Sequence, residues 1–278
     1  MKQLAQSEQD SARSVLSEER AAGSAGEVTT FWSRNALAVS ATEDVIRRLA
    51  GLPSVERIVY DRKVTVPNEN STGVPAIDRI LSEYNTSATP AGYERSTSGE
   101  AAWGVEYIGA DEVQQRGVTG DGVNVSVVDT GIDDDHPALQ GQVAKWKDFT
   151  GNNASTPVDP EGHGTHVAGT VAGRPDAERA VGVAPGANLF GARALGADGS
   201  GSLSDIIAAF EWSAEQDADV ISASLGAPPI TTETTGDATT PAVGTSGHEF
   251  EVTANASVGV NGSEGAAYKP SSVFVVLE

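Results

Sequence analysis

Residues 122–131 read GVNVSVVDTG, a short apolar strand that runs into an acidic turn. Forty residues on, HGTHVAGTVAG (163–173) has the composition of a small-residue helix. ANLFGARAL (187–195) is a second apolar strand. Leu203 to Glu215 is amphipathic, with Leu203, Ile206, Ile207, Phe210 and Ala214 expected on one face. Val220 to Leu225 is a further strand. Strands that alternate with helices predict an α/β fold, a parallel sheet covered by helices on its faces. In such sheets the reactive side chains gather at the carboxyl ends of the strands.

Outward from this region the pattern changes on both sides. Residues 1–66 alternate helix and strand differently. A helix is expected over 4–22, ended by Gly23 and Gly26, then strands at Val28–Phe31 and Ala36–Val39. A second helix is expected over Ala41–Leu52, capped by Thr42 and stopped by Pro53, followed by one strand over Val55–Val64. That order makes a small α+β domain. Residues 67–99, with PNENSTG and YNTSATPAGYERSTSG, have the composition of a flexible linker. Residues 227–278 are a Thr/Gly-rich tail without an assignment, although HEFEVTA (248–254) and SVFVVLE (272–278) have strand character.

The chain carries 18 basic and 39 acidic residues, a formal net charge of −21. A phosphate backbone would be repelled, so nucleic acid is not an expected partner. No apolar run is long enough to span a bilayer. The charge is uneven: residues 1–96 sum to −2 and residues 97–278 to −19. With only 5 lysines, this acidic excess is the composition of a salt-adapted surface. There is no cysteine, which excludes disulfides and a thiol nucleophile. The opening MKQLAQSEQD has no apolar core, so no signal peptide is read in this chain.

Two segments carry chemistry. In VVDTGID (127–133) an aspartate stands past an apolar strand, beside a glycine that permits a sharp turn. In EGHGTHVAGT (161–170) a histidine opens a helix between two glycines, so another backbone can come close. A carboxylate can hold an imidazole in one tautomer, and the imidazole can then take a proton from a hydroxyl. Asp129 and His163 are the candidate pair. His166 makes an HxxH spacing with His163, but the glutamate of a zinc HExxH motif is absent. Asp133, Asp134 and Asp135 are a weak candidate for structural calcium. No cofactor is required for the chemistry.

These motifs resemble the subtilisin-like serine protease family, the subtilases. VVDTGID resembles the family's aspartate motif and HGTHVAGT its histidine motif. GVAPGANLFGARAL (182–195) and GSGSLSDIIAAFEWSAEQDADVISASLG (199–226) resemble its next two blocks. The resemblance covers about Trp103 to Gly226. FWSRNALAV and VIRRLAGLPSVERI resemble, less closely, the propeptide of bacillopeptidase-F-like subtilases. The resemblance implies an endopeptidase made as a zymogen and acting outside the cell on protein or peptide substrates, with residues 1–66 as an intramolecular propeptide. It implies Asp129 as orienting carboxylate, His163 as general base, and Ser224, Leu225 and Gly226 as the strand that pairs with the substrate backbone.

One part of the family pattern is not found. Gly244-Thr245-Ser246 begins like the nucleophile motif, but Gly247-His248-Glu249-Phe250 follows instead of a small-residue helix. No Ala-Gly-Asn segment for the oxyanion precedes it. Ser246 is therefore a weak candidate, and the expectation is a catalytic domain cut short after Gly226. The alternative reading is a catalytically inactive fragment, or a propeptide-type inhibitor or folding module.

Overall fold

The computed structural model describes residues 2–66, 101–175, 181–226 and 271–277. The chain begins with α1 (Lys2–Ala21), β1 (Ala25–Phe31), β2 (Ala36–Ala41), α2 (Glu43–Ala50), β3 (Val55–Tyr60) and β4 (Lys63–Thr65). Next come α3 (Trp103–Tyr107), α4 (Ala110–Gln115), β5 (Asn124–Asp129), β6 (Val143–Asp148) and α5 (His163–Ala172). Then follow β7 (Asn188–Arg193), β8 (Ser200–Ser202), α6 (Leu203–Glu215), β9 (Val220–Ser222) and β10 (Ser271–Leu277). The described residues form two compact units, 2–62 with 271–277, and those between 63 and 226.

In the second unit four strands form a parallel sheet in the order β6-β7-β5-β9. Successive β5 residues face opposite sides, as the two-residue period of a strand requires. Val125 and Val127 pack with Leu189 and with Ala168 and Ala172 of α5. Val128 packs on the other side with Ala192 and with Ile206 and Ala209 of α6. Both faces are covered, so the strand is apolar almost throughout. Its one polar interior residue, Ser126, is satisfied by the Ser213 hydroxyl of α6 at 2.7 Å. The expected α/β fold is therefore present.

Some boundaries differ from the sequence expectation. The buried residues of α6 are Ile206, Ala209, Glu211 and Ser213, whereas Ala214 is exposed. The edge strand β6, VAKWKD, was not anticipated, since its alternating charges mask it. The expected single strand Val55–Val64 is two strands interrupted at Asp61 and Arg62. Only the first belongs to the N-terminal sheet; β4 pairs with β8 in the second unit. Thr42 stands at the N-cap of α2 but makes no side-chain capping bond.

The first unit is an antiparallel sheet in the order β1-β2-β10-β3. Helix α1 lays Ala5, Gln9, Ala12 and Leu16 along one stripe, and each of them is buried. The Gln9 amide donates to the Phe31 carbonyl at 2.9 Å, which satisfies a buried polar group at the end of β1. Val45 and Leu49 of α2 join Leu16, Leu37, Val39 and Ile58 in the core. The tail, read as unassigned, supplies a central strand here: β10 contributes Val273, Val275 and Leu277 to the same core. The expected linker 67–99 and the candidate strand 248–254 lie outside the described residues.

Candidate active site

The carboxyl edge of the parallel sheet carries the candidate pair. Asp129 is the last residue of β5, and His163 is the first of α5. His163 Nδ1 lies 2.7 Å from Asp129 Oδ1. The carboxylate can only accept, so Nδ1 carries the proton and Nε2 is left as the acceptor. The Asp129 side chain is fully buried, while 24% of the His163 side chain is exposed. One side of the imidazole is thus fixed by a dry carboxylate and the rest remains open.

Glycines make this approach possible. Gly131 has φ 131°, and a Cβ there would fall 1.9 Å from the Val158 carbonyl oxygen. A Cβ on Gly164 would fall 2.1 Å from the Gly131 carbonyl oxygen. A side chain at Gly164 would push α5 away from the end of β5, and one at Gly131 would collide with the backbone at Val158 and Asp159.

Burial raises the Asp129 carboxyl above its ordinary range, against the bonds from His163 and the Thr130 amide that favour the charged form. Its Oδ2 is buried and has no hydrogen-bond partner among the described residues. The sequence reading missed a second carboxylate that assembles the site, Asp159. Its Oδ1 accepts from the Thr130 hydroxyl at 2.8 Å and the Gly162 amide at 2.9 Å. Its Oδ2 accepts from the amide of Thr165 at 2.7 Å and from its hydroxyl at 2.6 Å. Thr130 Oγ1 in turn accepts from the Gly164 amide at 2.9 Å. Burial alone would raise the Asp159 carboxyl, but these donors outweigh it and hold it below the usual carboxylate range. In the sequence Asp159 stands four residues before His163 in a loop, where nothing sets it apart from a solvated carboxylate.

Ser224, Leu225 and Gly226 follow the carboxyl end of β9, which pairs in parallel with β5, so they stand at the same sheet edge as Asp129. Gly226 forms a bridge with Thr65, each amide donating to the other's carbonyl at 2.9 Å. On its other side β4 pairs antiparallel with β8, Thr65 opposite Ser200. The backbone of Gly226 is therefore already engaged in pairing.

Ser246 lies outside the described residues. His136 and His166 line one recess with Asp133 and Asp159. Among the described residues, no three His, Cys, Asp or Glu are grouped to hold a metal ion. No helix among them is long and apolar enough to cross a membrane.

The profile of the subtilase family matches residues 120–276, more than half of the sequence. The chain belongs to the subtilase family. Subtilisin Savinase of Lederbergia lenta is 43% identical over 126 residues, 45% of this chain and 45% of that protein. The major intracellular serine protease of Bacillus subtilis is 42% identical over 129 residues, 45% of this chain and 40% of that protein. The thermostable alkaline protease of Halalkalibacterium halodurans is 35% identical over 150 residues, 54% of this chain and 40% of that protein. This subtilase spans less than half the length of these relatives. Its family match runs past Gly226, where the sequence motifs stop, and takes in most of β10, which the structure pairs with β2 and β3.

Proposed function

We propose that the whole protein is a subtilisin-type serine endopeptidase in which Asp129 orients His163 and His163 is the general base. The observation that carries this reading is the 2.7 Å contact between His163 Nδ1 and the buried Asp129 at the carboxyl edge of the sheet. In the reaction a serine hydroxyl gives its proton to Nε2 and attacks the peptide carbonyl, and the amine leaves with that proton. The imidazolium formed on the way is stabilised by Asp129. Ser224, Leu225 and Gly226 would bind the substrate backbone by strand addition. The nucleophile is not assigned among the described residues, and this chain alone is expected to be inactive.

A joined protein tests this. Residues 100–226 fused to the remainder of the Lederbergia lenta subtilisin should react with a fluorophosphonate serine probe. His163→Ala should cut turnover by about 10⁶, the scale known for subtilisin itself. A folded fusion that neither labels nor cleaves casein overturns the reading. A stoichiometric adduct on Ser246 of the unfused chain would instead assign the nucleophile there.

The zymogen form belongs to the same proposal. Support comes from β4, which lies as an extended strand between β8 and Gly226, with Val64 packed among Leu195, Ile206 and Ala209. A peptide substrate pairing with 224–226 would need that place. Residues 1–66 then act as an inhibitory propeptide, cut at a bond beyond Val66. A secreted, salt-adapted enzyme is the setting proposed from family and composition, although one relative is named as intracellular. Circular dichroism in low and molar KCl tests the second point: the folded fraction should rise with salt.

A further inference from the structure

Three strands of the parallel sheet end on a charged residue in the same row. Asp148 is the last residue of β6, Arg193 of β7 and Asp129 of β5. Arg193 is in register with Asp148 on one side and with Asp129 on the other. The proposed mechanism uses Asp129 and gives the other two no task.

The three side chains leave the sheet on one face. A Cβ on Gly164 of α5 would fall 3.1 Å from the Asp129 Cβ. Leu189 of β7 packs with α5, and a Cβ on Gly191 would meet Ile132 of the same cluster and the Trp146 ring of β6. Arg193 and Asp148 each stand two residues beyond Gly191 and Trp146, so the two-residue period of a strand puts both on that face.

This row is dry. The side chains of Arg193 and Asp148 are 4% and 1% exposed, and Arg193 Nη1 donates to Asp148 Oδ2 at 3.2 Å. Asp148 has donors on both oxygens: Oδ1 accepts from the Thr150 amide at 2.8 Å and hydroxyl at 2.7 Å, and Oδ2 also accepts from the Ala154 amide at 3.0 Å. Asp129 accepts from His163 and from the Thr130 amide on Oδ1. Two atoms of the row, Arg193 Nε and Asp129 Oδ2, are buried with no hydrogen-bond partner among the described residues. One is a donor and the other an acceptor, on adjacent strands. The backbone ties the same ends together. The Phe149 amide donates to the Arg193 carbonyl at 2.8 Å, and the Ala194 and Leu195 amides donate to the Asp129 carbonyl at 2.9 and 3.1 Å. A cation beside a buried carboxylate favours its charged form.

We propose that Arg193 is a positioning residue for the Asp129–His163 pair: anchored by Asp148, its guanidinium flanks Asp129 from β7 and keeps that carboxylate ionised for His163. The inference rests on the role proposed above for the pair, and not on which serine is the nucleophile. The other charged or titratable groups set around Asp129 are His163 from α5, Asp159 through Thr130, and Asp148 from β6 beyond Arg193.

The test reads ionisation in the full chain, by NMR of the aspartate carboxyl carbons and of the His163 Nδ1 proton. Asp148→Asn with Arg193→Met makes the pair neutral, a change that a buried ion pair tolerates better than loss of one partner. The Asp129 carboxyl should titrate higher than in the parent, by about half a pH unit, with the Nδ1 proton resonance retained. Asp148→Asn alone keeps the cation and should move the Asp129 carboxyl downward. Arg193→Lys keeps the charge and should leave it near the parent. A merely structural role would instead lose the Nδ1 resonance and let Asp129 fall toward the ordinary carboxylate range. That outcome overturns the proposal, as does an Asp129 titration that none of the variants moves. If the neutral pair does not fold, Asp148→Asn decides alone, and an unchanged or raised Asp129 there overturns it. Asp129→Asn separates the two readings. If it leaves the His163 ring signals unmoved, the pair is uncoupled and both readings fall, whereas a coupled pair that ignores Arg193 overturns this one only.

Discussion

The sheet that carries Asp129 is assembled from strands that follow one another between residues 124 and 222, whereas the N-terminal sheet is completed by Ser271 opposite Ala41. In the first, all four strands come from that one stretch of chain, with α5 and α6 between them. The candidate pair comes from positions 34 apart, a strand end and the next helix start on the same edge. In the second, loop closure must be met before the central strand gains anything. Damage should therefore stay within a unit, and the far strand should be the weak point of the N-terminal one.

Leu16→Ala should show the largest effect. The side chain is fully buried under the N-terminal sheet, and its loss should cost about 3–4 kcal/mol. Denaturant unfolding followed by hydrogen exchange should place the loss in β2, β3 and β10 and leave β5 unmoved. A loss shared equally by β5 would break the comparison.

Gly164→Ala is the matching perturbation in the other unit. Its Cβ would meet the Gly131 backbone, and the expected cost is about 3 kcal/mol. The His163–Asp129 contact should lengthen, visible as an upfield move of the Nδ1 proton resonance. N-terminal amides should be unaffected.

Asp159→Asn should cost about 2 kcal/mol at neutral pH, because donors from Thr130 and Thr165 lose their carboxylate. The folded carboxyl lies below its ordinary range. Its stabilisation is therefore present above that range and is lost as pH falls through the lowered value. The deficit of the variant should vanish in acid, and a pH-independent deficit would refute the charge argument.

Asp129→Asn should have the opposite sign and a smaller size. Burial raises this carboxyl, so its contribution is present below the ordinary carboxylate range and is lost as pH rises through the raised value. The variant should melt slightly above the parent at neutral pH and with it in acid, while any activity of the joined enzyme falls by about 10⁴. A lower melting point at neutral pH would show that the bond to His163 outweighs burial.

The smallest contrast compares two helix starts. The Ser202 hydroxyl accepts from the Asp205 amide at 3.1 Å, and Ser202→Ala should cost about 1 kcal/mol. Thr42 makes no such bond, so Thr42→Ala should cost less than about 0.5 kcal/mol. Thermal melts of both variants decide this, and equal costs would mean that Thr42 caps in solution.

Much of the site could be read in advance because its chemistry is local. VVDTGID and EGHGTHVAGT each carry one residue of the candidate pair, the glycines that let backbones touch and the element that holds them. Asp159 was not legible in the same way. A carboxylate in a loop reads as solvated until Thr130 and Thr165 are seen to converge on it from two elements. The split between β3 and β4 was hidden for a related reason: VERIVYDRKVT is continuous strand sequence, and only the partners differ on either side of Asp61.

From residue types and spacing alone came the family, the α/β order of residues 122–225 and the pairing of Asp129 with His163. Apolar period, glycine placement and motif order act over short stretches of chain. The tertiary structure alone decided where SSVFVVL belongs. Alternating valines make a strand in any sheet with a free edge. What selects the place between β2 and β3 is backbone pairing on both edges of the strand and the Phe31 ring on which Phe274 stacks.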